Sequence, residues 1–126
     1  LSWMTKRFYF DTYALIEIGK GNHKYETYKQ DVMIILSKLN LLELSYYLFK
    51  EKKENEIKEI FERYLKYYVD YDQEAIIKAA EMKFKHLKER LSFIDCIGYF
   101  LAKKNNAKFL TGDEKFRNMD NVEFVK

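Results

Sequence analysis

Four acidic residues, far apart along the chain, stand where an enzyme could use them: Asp11, Glu43, Asp95 and Asp113. Asp11 directly follows Arg7 to Phe10, an aromatic-rich run that reads as a short buried strand. Glu43 lies in the first turn of a predicted helix, Asp95 opens another, and Asp113 comes two residues after a predicted strand ending at Thr111. In a parallel sheet, strand C-termini share one edge with the N-termini of the helices that follow, and open α/β folds place their sites there. Two carboxylates about 5 Å apart repel by roughly 3 kcal/mol at an effective dielectric of 20. A cluster of three or four would raise some pKa values and hold protons. A divalent cation removes that penalty, and an all-oxygen donor set favours Mg²⁺ or Mn²⁺.

Each acid also has a plainer explanation. Asp11 is placed to cap the helix behind it. Asn40 with Glu43, Ser92 with Asp95, and Thr111 with Glu114 all have capping-box spacing, in which the fourth residue reaches back to a backbone N–H. Capping accounts for the acids one at a time but not for four of them at one edge. Other chemistries have less support. His23 and His86 are isolated and lack metal-ligand spacing, so zinc is not expected. Cys96 sits in an apolar helix and reads as a buried thiol. Neither GxxxxGK[ST] nor GxGxxG is present, which leaves nucleotide cofactors without a cradle.

The elements that must position these acids alternate along the chain. Strand Arg7 to Phe10 leads into a helix over Thr12 to Ile18, punctuated by Gly19 or Gly21, and Asn22 to Asp31 is polar and ambiguous. Val32 to Leu36 is apolar on both faces and suits the interior of a parallel sheet. Helical patterns follow over Asn40 to Lys53 and Asn55 to Tyr68, and Val69 is a candidate for a very short strand. Asp72 is placed to cap a long helix to Arg90. A helix over Phe93 to Asn105 then precedes strands at Lys108 to Thr111 and Val122 to Val125. That order predicts an α/β fold: a three-layer sandwich around a mainly parallel sheet of four to five strands.

At 126 residues the expectation is one domain over 1–126. Hydrophobic residues at 48% and charged residues at 34% exclude a disordered tail. No apolar run nears the roughly 18 residues of a membrane span. With a single cysteine and no signal-peptide pattern near the start, a cytoplasmic protein is expected; Met4 is the expected native start, with Leu1 to Trp3 an addition. Net charge is 23 − 20 = +3, mild enough to permit a polyanionic partner without requiring one. Aromatics reach 17%, and Tyr46, Tyr47, Phe49, Phe61, Tyr64, Tyr67 and Tyr68 crowd one region. Most should pack a helical hairpin, leaving the rest for a groove or a dimer surface.

The ordered set of motifs resembles the PIN domain, and within it the VapC-type toxins. The matching pieces are Phe8-Tyr9-Phe10-Asp11-Thr12 with Ala14, Asn40-Leu41-Leu42-Glu43, Phe93-Ile94-Asp95, and Phe109-Leu110-Thr111-Gly112-Asp113 with Phe116. The resemblance implies that Asp11, Glu43, Asp95 and Asp113 form an acidic site for Mg²⁺ or Mn²⁺ and serve metal-dependent endoribonuclease activity on RNA. It also implies a homodimer and a VapB-type antitoxin partner. Thr12 and Thr111 would be the small hydroxyl residues beside the first and last acids. Gly98 falls where relatives usually carry alanine and should cost about 1 kcal/mol of helix propensity without touching the chemistry. Lys20, Lys24, Lys115 and Arg117 are candidates for binding RNA phosphates, or simply surface charges. Two other readings are an RNA-processing PIN nuclease without an antitoxin and a catalytically quiet RNA- or protein-binding PIN-like domain. A receiver domain would need adjacent acids after the first strand and a lysine after the last, and neither is evident.

Overall fold

A computed structural model describes residues 5–126; the expected start at Met4 lies outside the described residues. Four strands, β1 (Lys6–Phe10), β2 (Val32–Ile35), β3 (Lys108–Thr111) and β4 (Val122–Phe124), form one sheet in the order β2-β1-β3-β4. Every pairing is parallel, with Tyr9 opposite Ile35 on one side and Phe109 on the other. Around the sheet lie α1 (Thr12–Gly19), α2 (Lys38–Lys50), α3 (Ile57–Tyr64), α4 (Gln73–Lys85) and α5 (Phe93–Lys104).

The period-2 alternation of strand side chains explains the apolar character of β1 on both faces. Phe8 and Phe10 join Leu110 and the buried residues of α1, α2 and α3 in one core layer. Tyr9 and Phe109 point the other way, into a layer built with Ala75 and Ala79 of α4 and Cys96, Leu101 and Ala102 of α5. The result is the expected three-layer α/β sandwich. The polar stretch after α1 holds a short 3-10 helix, His23–Tyr28, whose Tyr25 and Tyr28 are buried while its other residues are exposed.

Several boundaries differ from the sequence reading, each for a local reason. Helix α2 begins at Lys38 with Ser37 as N-cap, so the capping partner is Ser37–Asn40 rather than Asn40–Glu43. Ser37 N–H donates to Asn40 Oδ1 at 3.1 Å. The helix expected over Asn55 to Tyr68 is α3 flanked by 3-10 turns at Glu54–Glu56 and Leu65–Tyr67. The short strand expected at Val69 is a single parallel bridge between Leu36 and Tyr68. Helix α4 stops at Lys85 instead of reaching Arg90, although Asp72 does cap it, accepting from Ala75 N–H. The chain turns back through Arg90 at φ 55, which carries Leu91 into full burial. Lys83 secures that return by donating to the Leu91 carbonyl at 2.6 Å.

Of the crowded aromatics, Tyr64 is buried and Tyr47, Phe61, Tyr67 and Tyr68 pack against the core, whereas Tyr46 and Phe49 are exposed. Cys96 is a fully buried free thiol, pushed up to about 11 by burial.

Candidate active site at the sheet edge

From β1 the chain moves to β2 on one side, then crosses over to β3 on the other. The strand order therefore reverses between β1 and β3, and open α/β folds place their sites beyond the C-terminal strand ends at such a switch point. Asp11 stands at the end of β1 and Asp113 two residues beyond β3.

Asp11 is only 3% exposed. It occupies the N-cap position of α1 but makes no side-chain capping bond. Its Oδ2 instead accepts from the buried Thr111 hydroxyl at 2.8 Å. Thr111 Oγ1 in turn accepts from Asp113 N–H at 3.1 Å, so one hydroxyl ties the first acid to the backbone of the last. Burial, and then the charge of Asp95, push the Asp11 carboxyl up to about 8.

Glu43 is half-buried in the second turn of α2, and its Oε1 accepts from the Thr12 hydroxyl at 2.5 Å. Desolvation raises its pKa, the Thr12 bond opposes the rise, and Asp95 adds to it. Asp95 does serve as a cap. Its N–H donates to Ser92 Oγ at 3.0 Å and its Oδ2 accepts from Ser92 N–H at 2.9 Å. Even so, burial raises its carboxyl, Asp113 pushes it further up and Lys115 draws it down. Asp113 caps the 3-10 turn Glu114–Phe116 through a 3.0 Å bond from Lys115 N–H. Glu114 is drawn away to Arg117 and Lys126 and takes no part in a Thr111 capping box.

The four acids are thus coupled electrostatically: Asp11 and Glu43 both feel Asp95, which feels Asp113. Among the described residues none of the four forms an ion pair with Lys, Arg or His. As the side chains stand, no three His, Cys, Asp or Glu among the described residues are gathered tightly enough to grip a metal ion. Glu43 is turned to Thr12 and Asp95 to Ser92. The donor chemistry nevertheless fits a hard divalent cation: carboxylate oxygens on a partly buried edge, in no ion pair among the described residues.

The basic candidates divide. Lys115 is close enough to Asp95 to lower its pKa, and its Nζ donates to the Arg90 carbonyl at 3.0 Å. Arg117 is committed to Glu114 and lies over the Phe124 ring. Lys20 pairs with Glu17 at the far end of α1, roughly 12 Å of helix from Asp11. Lys24 is exposed on the 3-10 helix and has no contact with the acids.

Sequence reasoning did not single out Ser37 or Tyr9, although Asn40 bonds both. The Ser37-x-x-Asn40 spacing was the available signal. Gly112, part of the last matching motif, is a packing necessity. A methyl group there would overlap both the Tyr13 ring and the Val125 carbonyl.

The chain is thus a parallel α/β/α sandwich with acidic residues at the C-terminal edge of its sheet, beside the switch point. The PIN domain model matches residues 8–122, and the chain belongs to the PIN domain family. No curated protein sequence matches. Among solved structures, the fold is similar to a toxin–antitoxin complex from Klebsiella pneumoniae (TM-score 0.70, 15% identity, 91% of this chain and 94% of that one). It is also similar to VapBC2 from Rickettsia felis bound to a DNA fragment from their promoter (TM-score 0.67, 20% identity, 94% and 97%). A third is PAE2754 from Pyrobaculum aerophilum (TM-score 0.68, 14% identity, 97% and 92%). At such identities the likeness speaks to the fold.

Proposed function

We propose that this chain is a metal-dependent endoribonuclease that cuts RNA phosphodiester bonds, and that it is the toxin of a VapBC-type toxin–antitoxin pair. The observation that carries the reading is Asp11: a carboxyl buried at the switch point, pushed up to about 8, coupled to Asp95 and Glu43, and without an ion-pair partner among the described residues. Asp11, Glu43, Asp95 and Asp113 would hold Mg²⁺ or Mn²⁺. A bound ion of that kind neutralises charge on a scissile phosphate and lowers the pKa of an attacking water.

The chain's own residues prepare that edge. Thr111 orients Asp11, Ser92 orients Asp95 and Thr12 orients Glu43. Lys115, beside Asp95, is the basic group best placed to meet a phosphate.

Partners are inferred from exposed apolar surface. Leu42, Tyr46 and Phe49 recur along one outward face of α2, all above 60% exposed. Ile76, Ile77 and Phe84 on α4, with Leu87 beyond it, form a second exposed set. A homodimer and a VapB-type antitoxin would cover such surfaces, and the VapBC2 and Klebsiella neighbours support an antitoxin partner. No helix among the described residues is long and apolar enough to cross a membrane, and an RNA substrate suits a cytoplasmic protein.

The test is a cleavage assay on structured and single-stranded RNAs with Mg²⁺, Mn²⁺ or EDTA, comparing wild type with Asp11→Asn. Cleavage that needs the ion and is lost in the variant supports the nuclease; full activity in Asp11→Asn refutes it. Growth arrest on expression, relieved by a co-expressed antitoxin, distinguishes the toxin from an RNA-processing enzyme of the same chemistry.

A further inference from the structure

Behind Glu43 lies a buried polar relay that starts on the opposite face of the sheet. Tyr9 points into the α4–α5 layer, is 0% exposed, and stacks on Phe109 at 5.8 Å between ring centroids. Its hydroxyl reaches Asn40 Oδ1 at 2.5 Å and Ser37 Oγ at 3.1 Å. Asn40 Nδ2 lies 3.2 Å from Thr12 Oγ1, and Thr12 Oγ1 lies 2.5 Å from Glu43 Oε1.

The direction of every bond in this chain is fixed by elimination. Ser37 N–H can only donate, so the oxygen of the Asn40 amide must face it. The amide nitrogen is then left to donate to Thr12 Oγ1. The Glu43 carboxylate only accepts, so the Thr12 hydroxyl proton points to it. Tyr9 donates at the head of the chain, because the Asn40 amide oxygen can only accept. Hydrogen bonds aligned head to tail polarise one another, so a donor at one end strengthens the bond at the other.

The aromatic ring reaches this position only because residue 98 has no side chain. A Cβ on Gly98 would stand 2.8 Å from Tyr9 Cε1 and 3.2 Å from Phe109 Cε1. Gly98 is therefore more than a weak point in α5; it admits the ring that carries the hydroxyl.

We infer that Tyr9 is a positioning residue for Glu43, acting through Asn40 and Thr12, and that Gly98 is its steric complement. The role as it bears on metal and RNA rests on the proposed nuclease function; the relay itself does not. Tyr9→Phe removes the hydroxyl and leaves the ring in place, and Asn40 Oδ1 keeps its bond from Ser37 N–H, so the variant should fold.

Two measurements test the inference. In the metal-free chain, Tyr9→Phe should move the NMR resonances of the Asn40 side-chain amide, the Thr12 hydroxyl and the Glu43 side chain. If only residues around the ring respond, the inference is overturned, whether or not the chain cleaves RNA. In the second, Mn²⁺ affinity by calorimetry and kcat on RNA are followed through a double-mutant cycle with Thr12→Val. Tyr9→Phe alone should lower both by about tenfold, as loss of an orienting partner typically does, with KM little changed. On the Thr12→Val background it should cost nothing further, because the relay is already cut. Additive losses would mean that Tyr9 serves packing alone and would overturn the proposal. A wild-type chain that neither binds Mn²⁺ nor cleaves RNA would remove the nuclease reading, and the NMR comparison would still decide the relay.

Discussion

Replacing Asp11 by asparagine should make the metal-free protein more stable, not less. The Asp11 carboxyl titrates near 3.8 when unfolded and near 8 in the fold, because burial and the Asp95 charge oppose its ionisation. Between those values the folded chain holds a proton that the unfolded chain has released, so unfolding stability falls as pH rises, by about 1.4 kcal/mol per pH unit for one group. No penalty exists below the unfolded pKa, and the whole of it is present above the folded one. At pH 7 the cost amounts to roughly 4 kcal/mol in the limit, and about half that if the buried edge relaxes around the charge. The asparagine of the variant would still accept from Thr111 through its amide oxygen while carrying no charge. Urea melts in EDTA from pH 4 to 9 should show the wild-type midpoint declining towards pH 8 and the Asp11→Asn slope much flatter. The variant should be ahead by about 2–4 kcal/mol at pH 7. Mn²⁺ should restore stability to the wild type at pH 8 and do little for the variant. A variant less stable than wild type at pH 8, with the same pH slope, would refute the electrostatic reasoning.

Other outcomes follow from single contacts. Ser92→Ala removes the hydroxyl that accepts from Asp95 N–H; chemical denaturation should show a loss of about 1 kcal/mol, the usual value of an N-cap. Gly112→Ala forces a methyl group into the Tyr13 ring and the Val125 carbonyl, and the thermal midpoint should drop by the equivalent of about 2–3 kcal/mol. Tyr46→Lys with Phe49→Lys places charge on the exposed face of α2. If that face is where two copies meet, light scattering should report monomers without loss of helicity by circular dichroism.

Much of the fold was legible because its strands are short apolar runs between strong punctuation. Arg7 to Phe10 ends at Asp11, and Lys108 to Thr111 ends at Gly112. That the strand ends and the following helix starts share one edge follows from the alternation of strands and helices alone. What escaped was the identity of each acid's local partner. Asn40 and Ser37 are both good N-caps three residues apart, and two capping boxes of equal spacing overlap in that segment. Only the burial of Asn40 beneath Tyr9, a contact 31 residues apart in sequence, decides for Ser37. Asp95 shows the converse: its capping explanation holds, and it is still the charge that Asp11 and Glu43 both feel. The overlong reading of α4 has a similar cause. Lys83 to Arg90 is acceptable helix by composition, and the turn is imposed by Leu91 entering the core. Periodicity reports which face of an element is apolar, not where the chain must abandon it.

The central position of β1 has a consequence for synthesis. The strand that supplies Asp11 is made early, but its partner β3 and the hydroxyl of Thr111 arrive a hundred residues later. During translation the aromatic strand must wait, half-paired, for most of the chain to emerge. A chain cut short anywhere before Lys108 therefore carries its first acid without the strand and the hydroxyl that hold it, and only a nearly full-length product can complete that edge.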